Sequence, residues 1–230
     1  MRRPGSFGNS FSGTGPRNQV HVRTRLGAVK ELYVGRVIFY MTVSVDGFVA
    51  GPNDEVDRLF GWYFSGDVEI PIPGSPTLRV SRESADVLLD AGRTGGAMVT
   101  GRRNFDLARG WGGNPPTSPC FVLTHSVPEG WSGEGSPFVF VTDGIESAIR
   151  QATEAAGDKD VEVGTPSMLQ QALNAGLVDE LHIDLAPILL GRGIRLFDQL
   201  TMGPTDLEII RVIPAPGVTH LRYRIAKRAD

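Results

Sequence analysis

Short apolar runs alternate with amphipathic segments along most of this chain, and this alternation is what most limits its fold. Runs such as "VIFYMTVSV" (37–45), "GAMVT" (96–100) and "CFVLT" (120–124) have the length and β-branched content of buried strands. "FVFVT" (138–142) and "KDVEV" (159–163) read the same way. Three further apolar or alternating runs lie between residues 178 and 226. The order predicts an α/β fold with a central mixed, mostly parallel sheet and antiparallel C-terminal strands.

The segments between these runs carry helix signals. Ser81 precedes "RESADVLLDAG", which predicts a capped helix that ends at Gly92. Thr165-Pro166 opens "PSMLQQALNAG", which predicts a second capped helix. A third helix is predicted over residues 145–157, and "EVDRLFGWYF" (55–64) predicts a short one. The apolar face of the third helix comprises Ile145, Ala148, Ile149, Ala152 and Ala156.

The first 32 residues differ in composition from the rest. Residues 1–36 hold seven Lys or Arg and one acid, and "MRRPGSFGNSFSGTGPRNQ" has no apolar periodicity. Such a segment buries too little surface to offset the entropy of ordering. We therefore expect a flexible basic tail over residues 1–32 and one domain over 33–230. An organelle transit peptide is an alternative interpretation of the same composition.

Bulk properties limit the function classes. The net charge of -3 is not that of a general nucleic-acid binder. No apolar run approaches the length of a membrane span. The single cysteine, Cys120, excludes an internal disulfide, so a cytoplasmic setting is expected. None of the four histidines has a partner at metal-ligand spacing, so no metal site is expected.

Three predicted strand ends carry residues suited to binding phosphate. Gly101 lets a ligand approach the backbone, and Arg102 after it supplies a guanidinium fork. Thr124–Ser126 places two hydroxyls and the imidazole of His125 at the next strand end. Gly164 precedes the predicted helix start, where free N–H groups and the helix dipole favour an anion. The alternative for each is an ordinary polar turn.

Four segments together resemble a known family: "SVDGFVAGPND", "TGRRNFD", "GWGGNPPTSPCFVLTHSVP" and "GLVDELHIDLAPILLGRGIRLF". The chain from Arg36 to Ile225 resembles the dihydrofolate-reductase-like family. It is most similar to the reductase domain of bifunctional riboflavin-biosynthesis enzymes and its stand-alone bacterial relatives. The resemblance implies a three-layer fold with a nicotinamide dinucleotide across the strand ends, NADPH as cofactor and, in many members, a homodimer.

The resemblance also implies roles for individual residues. Ala50 and Gly51 would let the nicotinamide ring lie against the backbone. The residues implied for the adenosine phosphate end are Gly101, Arg102, Thr124, His125 and Ser126. Those implied for the pyrophosphate are Gly164, Thr165 and, at the helix start, Ser167. Relatives have consecutive glycines there, so the Thr165 side chain narrows the space.

The zinc signature of the deaminase half of the riboflavin enzymes needs a second cysteine, so we expect no deaminase half. The substrate is therefore a small molecule that need not be the riboflavin precursor, either pterin-like or ribosylaminopyrimidine-like. Asp46 is the candidate catalytic acid, or alternatively a carboxylate that holds an Asp-Gly turn. Phe48, Trp62 and Trp111 are candidates for the substrate slot, or alternatively core residues. The competing functions are a non-catalytic nucleotide-binding protein and a structural dimer module.

Overall fold

A computed structural model describes residues 19–23, 29–33, 35–72, 75–131, 133 and 135–226. The chain divides into two compact units, residues 1–33 and 34–230, and each is described by itself. In the first unit, strands β1 (Gln19–Arg23) and β2 (Val29–Tyr33) pair antiparallel. The sequence predicts no regular element there. Residues 1–18 and 24–28 lie outside the described residues, and the flexibility of the tail stays a prediction.

The second unit contains twelve strands and four α-helices within its described residues. The strands are β3 (Val37–Ser44), β4 (Phe48–Ala50), β5 (Val68–Ile70), β6 (Leu78–Val80), β7 (Gly95–Gly101), β8 (Cys120–Leu123), β9 (Phe138–Val141), β10 (Asp160–Val163), β11 (Glu180–Ala186), β12 (Ile194–Arg195), β13 (Leu207–Ala215) and β14 (Val218–Ile225). The helices are α1 (Arg82–Thr94), α2 (Arg102–Leu107), α3 (Ile145–Ala156) and α4 (Pro166–Asn174). Two 3₁₀ turns cover Phe60–Phe64 and Arg109–Gly113.

Eight strands form the central sheet, in the order β13-β14-β11-β3-β10-β7-β8-β9. The six strands from β11 to β9 run parallel to one another. β14 pairs antiparallel with β11 and with β13. The predicted mixed, mostly parallel sheet with antiparallel C-terminal strands is confirmed. Because parallel strands end at the same edge, the segments after β3, β7, β8 and β10 meet there.

The two faces of the sheet differ in character. On one face, α3 and α4 cover an apolar core to which β3, β7, β10 and β11 contribute. All five residues of the predicted apolar face of α3 are buried. The other face is polar along β11 and β14, where Asp184 lies opposite His220 and His182 opposite Arg222. The 3₁₀ turn Phe60–Phe64 lies over part of this polar face, where Trp62 contacts His220.

Elements predicted from long patterns are found close to their predicted bounds. α1 starts after Ser81, whose hydroxyl accepts from the Ser84 backbone N–H, but it continues past Gly92 to Thr94. "EVDRLFGWYF" forms only a 3₁₀ turn. The sequence interpretation misses the short elements: strands β4, β5, β6 and β12, and helix α2. These elements have two to six residues, too few to establish a period.

Candidate active site

Gly101 and the start of α4 lie side by side at the carboxyl edge of the sheet. A Cβ added to Gly101 would lie 3.6 Å from Thr165 Oγ1 and 3.8 Å from Ser167 Oγ. Gly164 lies beside β7, because its N–H donates to the Val99 carbonyl at 2.9 Å. Two of the three predicted phosphate-binding segments therefore share one location.

Thr165 has an unusual backbone and an unused hydroxyl. Its φ is +81°, in the left-handed region that β-branched residues rarely adopt. Its side chain makes no capping hydrogen bond to α4, so the helix begins at Pro166 as predicted but without the predicted cap. Thr165 Oγ1 is buried and has no hydrogen-bond partner among the described residues. Buried hydroxyls are usually paired, so the unpaired Thr165 hydroxyl is a second unusual feature of this residue.

Arg102 joins the first predicted segment to the Thr124–Ser126 segment. Its Nη1 donates to the Ser126 carbonyl at 3.0 Å, and its Nε donates to both carboxylate oxygens of Asp106 at 2.8 and 2.9 Å. The hydroxyl of Thr124 also donates to the Ser126 carbonyl, at 2.8 Å. His125 is exposed at this strand end. The predicted residues for the adenosine phosphate end therefore lie together, with Asp106 as an added partner that the sequence interpretation missed.

The loop after β4 contacts the start of α2. Arg103, at the start of α2, donates to Asp54 at 2.5 Å, and Asp54 has a positive φ of 64°. Ala50 and Gly51 are both buried. A Cβ on Gly51 would lie 2.3 Å from a Glu55 carboxylate oxygen. The contact with Glu55 therefore requires a small residue at position 51, whether or not a ligand binds there.

Asp46 is committed to holding a turn. Its Oδ1 accepts from the Ser44 hydroxyl at 2.6 Å and from the Leu190 N–H at 3.1 Å. Its Oδ2 accepts from the Gly191 N–H at 2.7 Å. These bonds, the one from Ser44 foremost, lower the pKa of Asp46 to about 2. A carboxylate with that pKa has no proton to donate at neutral pH, so the contacts favour the turn-holding interpretation over a catalytic acid.

The three aromatic residues predicted for a substrate slot do not lie together. Phe48 is buried in β4, with the Arg195 guanidinium 4.7 Å above its ring. Trp62 is buried in a cluster with Ile70, Leu78, Val80, Ala85 and Val218. Trp111 packs against a separate cluster of Phe105, Cys120, Val122 and Phe138. Trp62 and Trp111 thus pack as the alternative interpretation, core residues, expects.

A buried polar chain on the polar face of the sheet was not predicted. Asp184 accepts from His220 Nδ1 at 2.7 Å, and Ser84 Oγ lies 2.9 Å from His220 Nε2. Arg222 donates to the same Asp184 oxygen at 3.2 Å. Burial opposes ionisation of Asp184, but the His220 and Arg222 contacts outweigh it and lower its pKa. The period-two polar residues of "ELHID" and "THLRYR" were the signal that could have revealed this chain.

Other candidate sites are limited in the described part of the chain. No group of three His, Cys, Asp or Glu residues there could hold a metal ion. No described helix combines the length and apolar character of a membrane span. Cys120 is fully buried, and burial raises the pKa of its thiol to about 12. The polar groups that the sequence predicts to bind phosphate converge at the carboxyl edge of the sheet.

The comparisons with known proteins agree with this geometry. Residues 36–214 match the family described as the RibD C-terminal domain. The chain belongs to this family. The resemblance found in the sequence is thereby confirmed, and both family and fold are reductase-like.

Individual proteins are similar to this chain over most of its length. It is similar to the uncharacterized protein YyaP of Bacillus subtilis, with 27% identity over 175 residues, which are 70% of this chain and 80% of that protein. A structure named for riboflavin biosynthesis, from Shewanella sp. PV-4, has 22% identity and a TM-score of 0.66, covering 84% of this chain and 99% of that one. A dihydrofolate reductase from Enterococcus faecalis, solved with NADP(H), has 13% identity and a TM-score of 0.54, covering 85% and 99%. At these identities the two structures establish the fold.

Proposed function

We propose that this protein is an NADPH-dependent reductase that transfers a hydride to a small-molecule substrate of the pterin or ribosylaminopyrimidine type. The observation that carries the proposal is the convergence of Gly101, Thr165, Ser167 and Arg102 at one strand edge. The reductase family and the NADP(H) named for the Enterococcus faecalis enzyme support the cofactor. A cytoplasmic setting and a homodimer are part of the same proposal.

The residues fit the two charged parts of a dinucleotide. The start of α4 offers backbone N–H groups and the exposed Ser167 for a pyrophosphate, and the Thr165 side chain beside them narrows the space. Arg102, with Thr124, His125 and Ser126, would hold the adenosine phosphate end. An acid at a strand end is typical of NADH sites, whereas the residues directly following β7 and β8 are donors and cations.

NADPH, when bound, would supply the hydride, and the reduced substrate would also gain one proton. This chain's part is to hold the two reactants face to face and to exclude water. Phe48 remains the candidate for apolar contact with the substrate. A depression of about 210 Å³ lies beside Gly51 and is lined in part by Glu55, Arg58 and Arg192. With Asp46 ionised, the proton would come from solvent or from the substrate itself.

A non-catalytic nucleotide-binding protein is the second candidate. Two observations favour it: the Thr165 side chain where relatives have glycine, and the absence of a proton on Asp46 at neutral pH. This alternative predicts nucleotide binding without turnover. It would require no organised substrate pocket beside the cofactor.

The test is a titration of wild type and Arg102→Ala with NADPH and with NADH. A charge-assisted bond to a 2′-phosphate contributes roughly 1.5–3 kcal/mol, so its loss should weaken NADPH binding about ten- to a hundredfold. NADH, which lacks that phosphate, should change little. Arg150→Ala on α3 is the matched control, because Arg150 pairs with Glu154 at the same four-residue spacing.

Two results would contradict the proposal. If Arg102→Ala weakens NADH as much as NADPH, the arginine serves the pyrophosphate or the fold. If neither cofactor binds wild type at millimolar concentration, both the reductase and the nucleotide-binding proposals fail. NADPH binding without oxidation in the presence of candidate pterins and aminopyrimidines would favour the non-catalytic protein.

A further inference from the structure

The guanidinium of Arg102 is already largely engaged. Nε donates to both oxygens of Asp106, and Nη1 donates to the Ser126 carbonyl. Nη2 has no partner in the described part of the chain. Asp106 follows Arg102 by four residues on α2, so the two side chains lie on the same side of the helix. Both residues lie on α2, so their pairing does not depend on another element.

Such pairing matters for phosphate binding. An arginine binds a phosphate best through two parallel N–H groups, either Nε with Nη2 or Nη1 with Nη2. Asp106 occupies the first fork and the Ser126 carbonyl occupies the second. A 2′-phosphate can therefore gain a full fork only by displacing one of them. Because Asp106 is an anion, it also repels a phosphate that approaches the same guanidinium.

The same carboxylate has the opposite effect on an unphosphorylated ribose. A 2′-hydroxyl donates a hydrogen bond readily to a carboxylate, as in many NADH sites. The Asp106 side chain is 53% exposed and the Arg102 side chain 34%, so a ligand can reach both. Arg103 does not replace Arg102 in this role, because its guanidinium pairs with Asp54 in the loop after β4.

We infer that Asp106 limits the preference for NADPH over NADH that Arg102 provides. It competes with the 2′-phosphate for Arg102, and it accepts a hydrogen bond from the 2′-hydroxyl of NADH. The inference rests on the proposed function, because it assumes that the adenosine end of a dinucleotide lies at Arg102.

The experiment is a titration of wild type and Asp106→Asn with four probes at fixed ionic strength. The probes are NADPH, NADH, adenosine 2′,5′-bisphosphate and 5′-AMP. Asparagine keeps an oxygen that can accept from Arg102 Nε but removes the charge. We expect NADPH and the bisphosphate to bind about five- to tenfold more tightly, as for loss of one repulsive charge contact at a partly exposed site. NADH and 5′-AMP should bind equally well or more weakly.

The matched control is Glu154→Gln on α3. Glu154 pairs with Arg150 at 3.1 Å across the same four-residue spacing, and both side chains are mostly exposed. This variant makes the same change in net charge away from the site. The ratio of NADPH to NADH affinity should stay at the wild-type value.

Several outcomes would overturn the inference. An unchanged ratio in Asp106→Asn, or the same gain in Glu154→Gln, would show that Asp106 has no local effect. Weaker NADPH binding in Asp106→Asn would mean that Asp106 only positions Arg102. These results, with NADPH still bound by wild type, overturn this inference alone. Binding of neither cofactor by wild type overturns the proposed function with it.

Discussion

At the scale of single residues, Thr165 departs furthest from what its sequence context suggests. Thr-Pro before an amphipathic run predicts a capped helix, and on that basis a change to glycine should cost stability. The hydroxyl makes no capping bond, and the residue has a positive φ. Strain of this kind costs on the order of 1–3 kcal/mol for a residue with a branched Cβ. Thr165→Gly is therefore expected to raise the stability, and not to lower it as the loss of a cap would.

We predict that Thr165→Gly raises the free energy of unfolding by about 1 kcal/mol. The same change should tighten NADPH binding, because it removes a side chain from the proposed pyrophosphate path. Denaturant unfolding and calorimetry measure the two effects. Thr165→Ala is the control, since it removes the hydroxyl but keeps most of the strain. Weaker binding in both variants would identify the hydroxyl as a phosphate ligand instead.

Asp46 carries the second prediction at this scale. Its pKa is lowered from 3.8 to about 2 in the folded protein. A lowered pKa contributes stability that is present above the unfolded value and lost as pH falls through the folded value. Asp46→Asn should therefore be less stable than wild type at pH 7, and the difference should shrink between about pH 4 and pH 2.

The measurement is urea unfolding of both proteins across that pH range. If NADPH oxidation is observed with any substrate, Asp46→Asn should keep it at pH 7. A pH-independent difference in stability would show that charge is not what Asp46 contributes. Loss of turnover with an intact fold would restore Asp46 as the catalytic acid.

Single residues were predictable from sequence only where strand order alone brings them together. Gly101 and Gly164 follow strands of a parallel sheet, so their meeting at one edge could be expected. The partners of Asp46 at residues 190 and 191 lie more than 140 positions away along the chain. Trp62 and Trp111 looked alike in sequence, yet each packs into a different cluster, because tertiary contacts decide the environment of an aromatic ring.

At the scale of elements, length decided what the sequence could predict. The twelve residues of α3 show a full apolar face, and every predicted member of it is buried. Strands of two or three residues, such as β4 and β12, contain no period to detect. The alternation of polar residues in β11 and β14 was visible in the sequence. The sequence did not show that α1 packs against these residues. Ser84 links that helix to the sheet.

We predict that Ser84→Ala lowers the free energy of unfolding by about 1–3 kcal/mol. The reason is that His220 Nε2 loses its hydrogen-bond partner at a site with 0% exposure. Thermal and urea unfolding provide the measurement. Ser147→Ala on α3 is the control, because Ser147 only accepts bonds from the nearby Arg150 and Gln151 side chains. Equal losses in the two variants would argue against a special role for the Ser84–His220 bond.

At the scale of the whole molecule, the late strands bear on the proposed homodimer. β11 and β14 both lie inside the central sheet, so neither offers a free edge. The edge is β13, whose outer side pairs with no other described strand. It exposes Leu207, Ile209, Ile210 and Val212.

A second copy of the chain suits this edge better than solvent does. Long edge strands with exposed apolar residues tend to pair with another strand. The exposed apolar residues of β13 make it a candidate for antiparallel pairing about a two-fold axis. The homodimer remains a proposal, and β13 is the surface on which it can be tested.

We predict that wild type is a dimer at micromolar concentration and that Ile209→Lys with Val212→Lys makes it monomeric. Two lysines on each copy would place like charges across the shared edge, where their desolvation and repulsion oppose pairing. Sedimentation or solution scattering gives the mass. Leu107→Lys on α2 is the control, because Leu107 is a similarly exposed apolar residue on a helix that packs against β7 and β8. A monomeric wild type would exclude the homodimer, whereas a dimer that survives both lysines would move its interface to another surface.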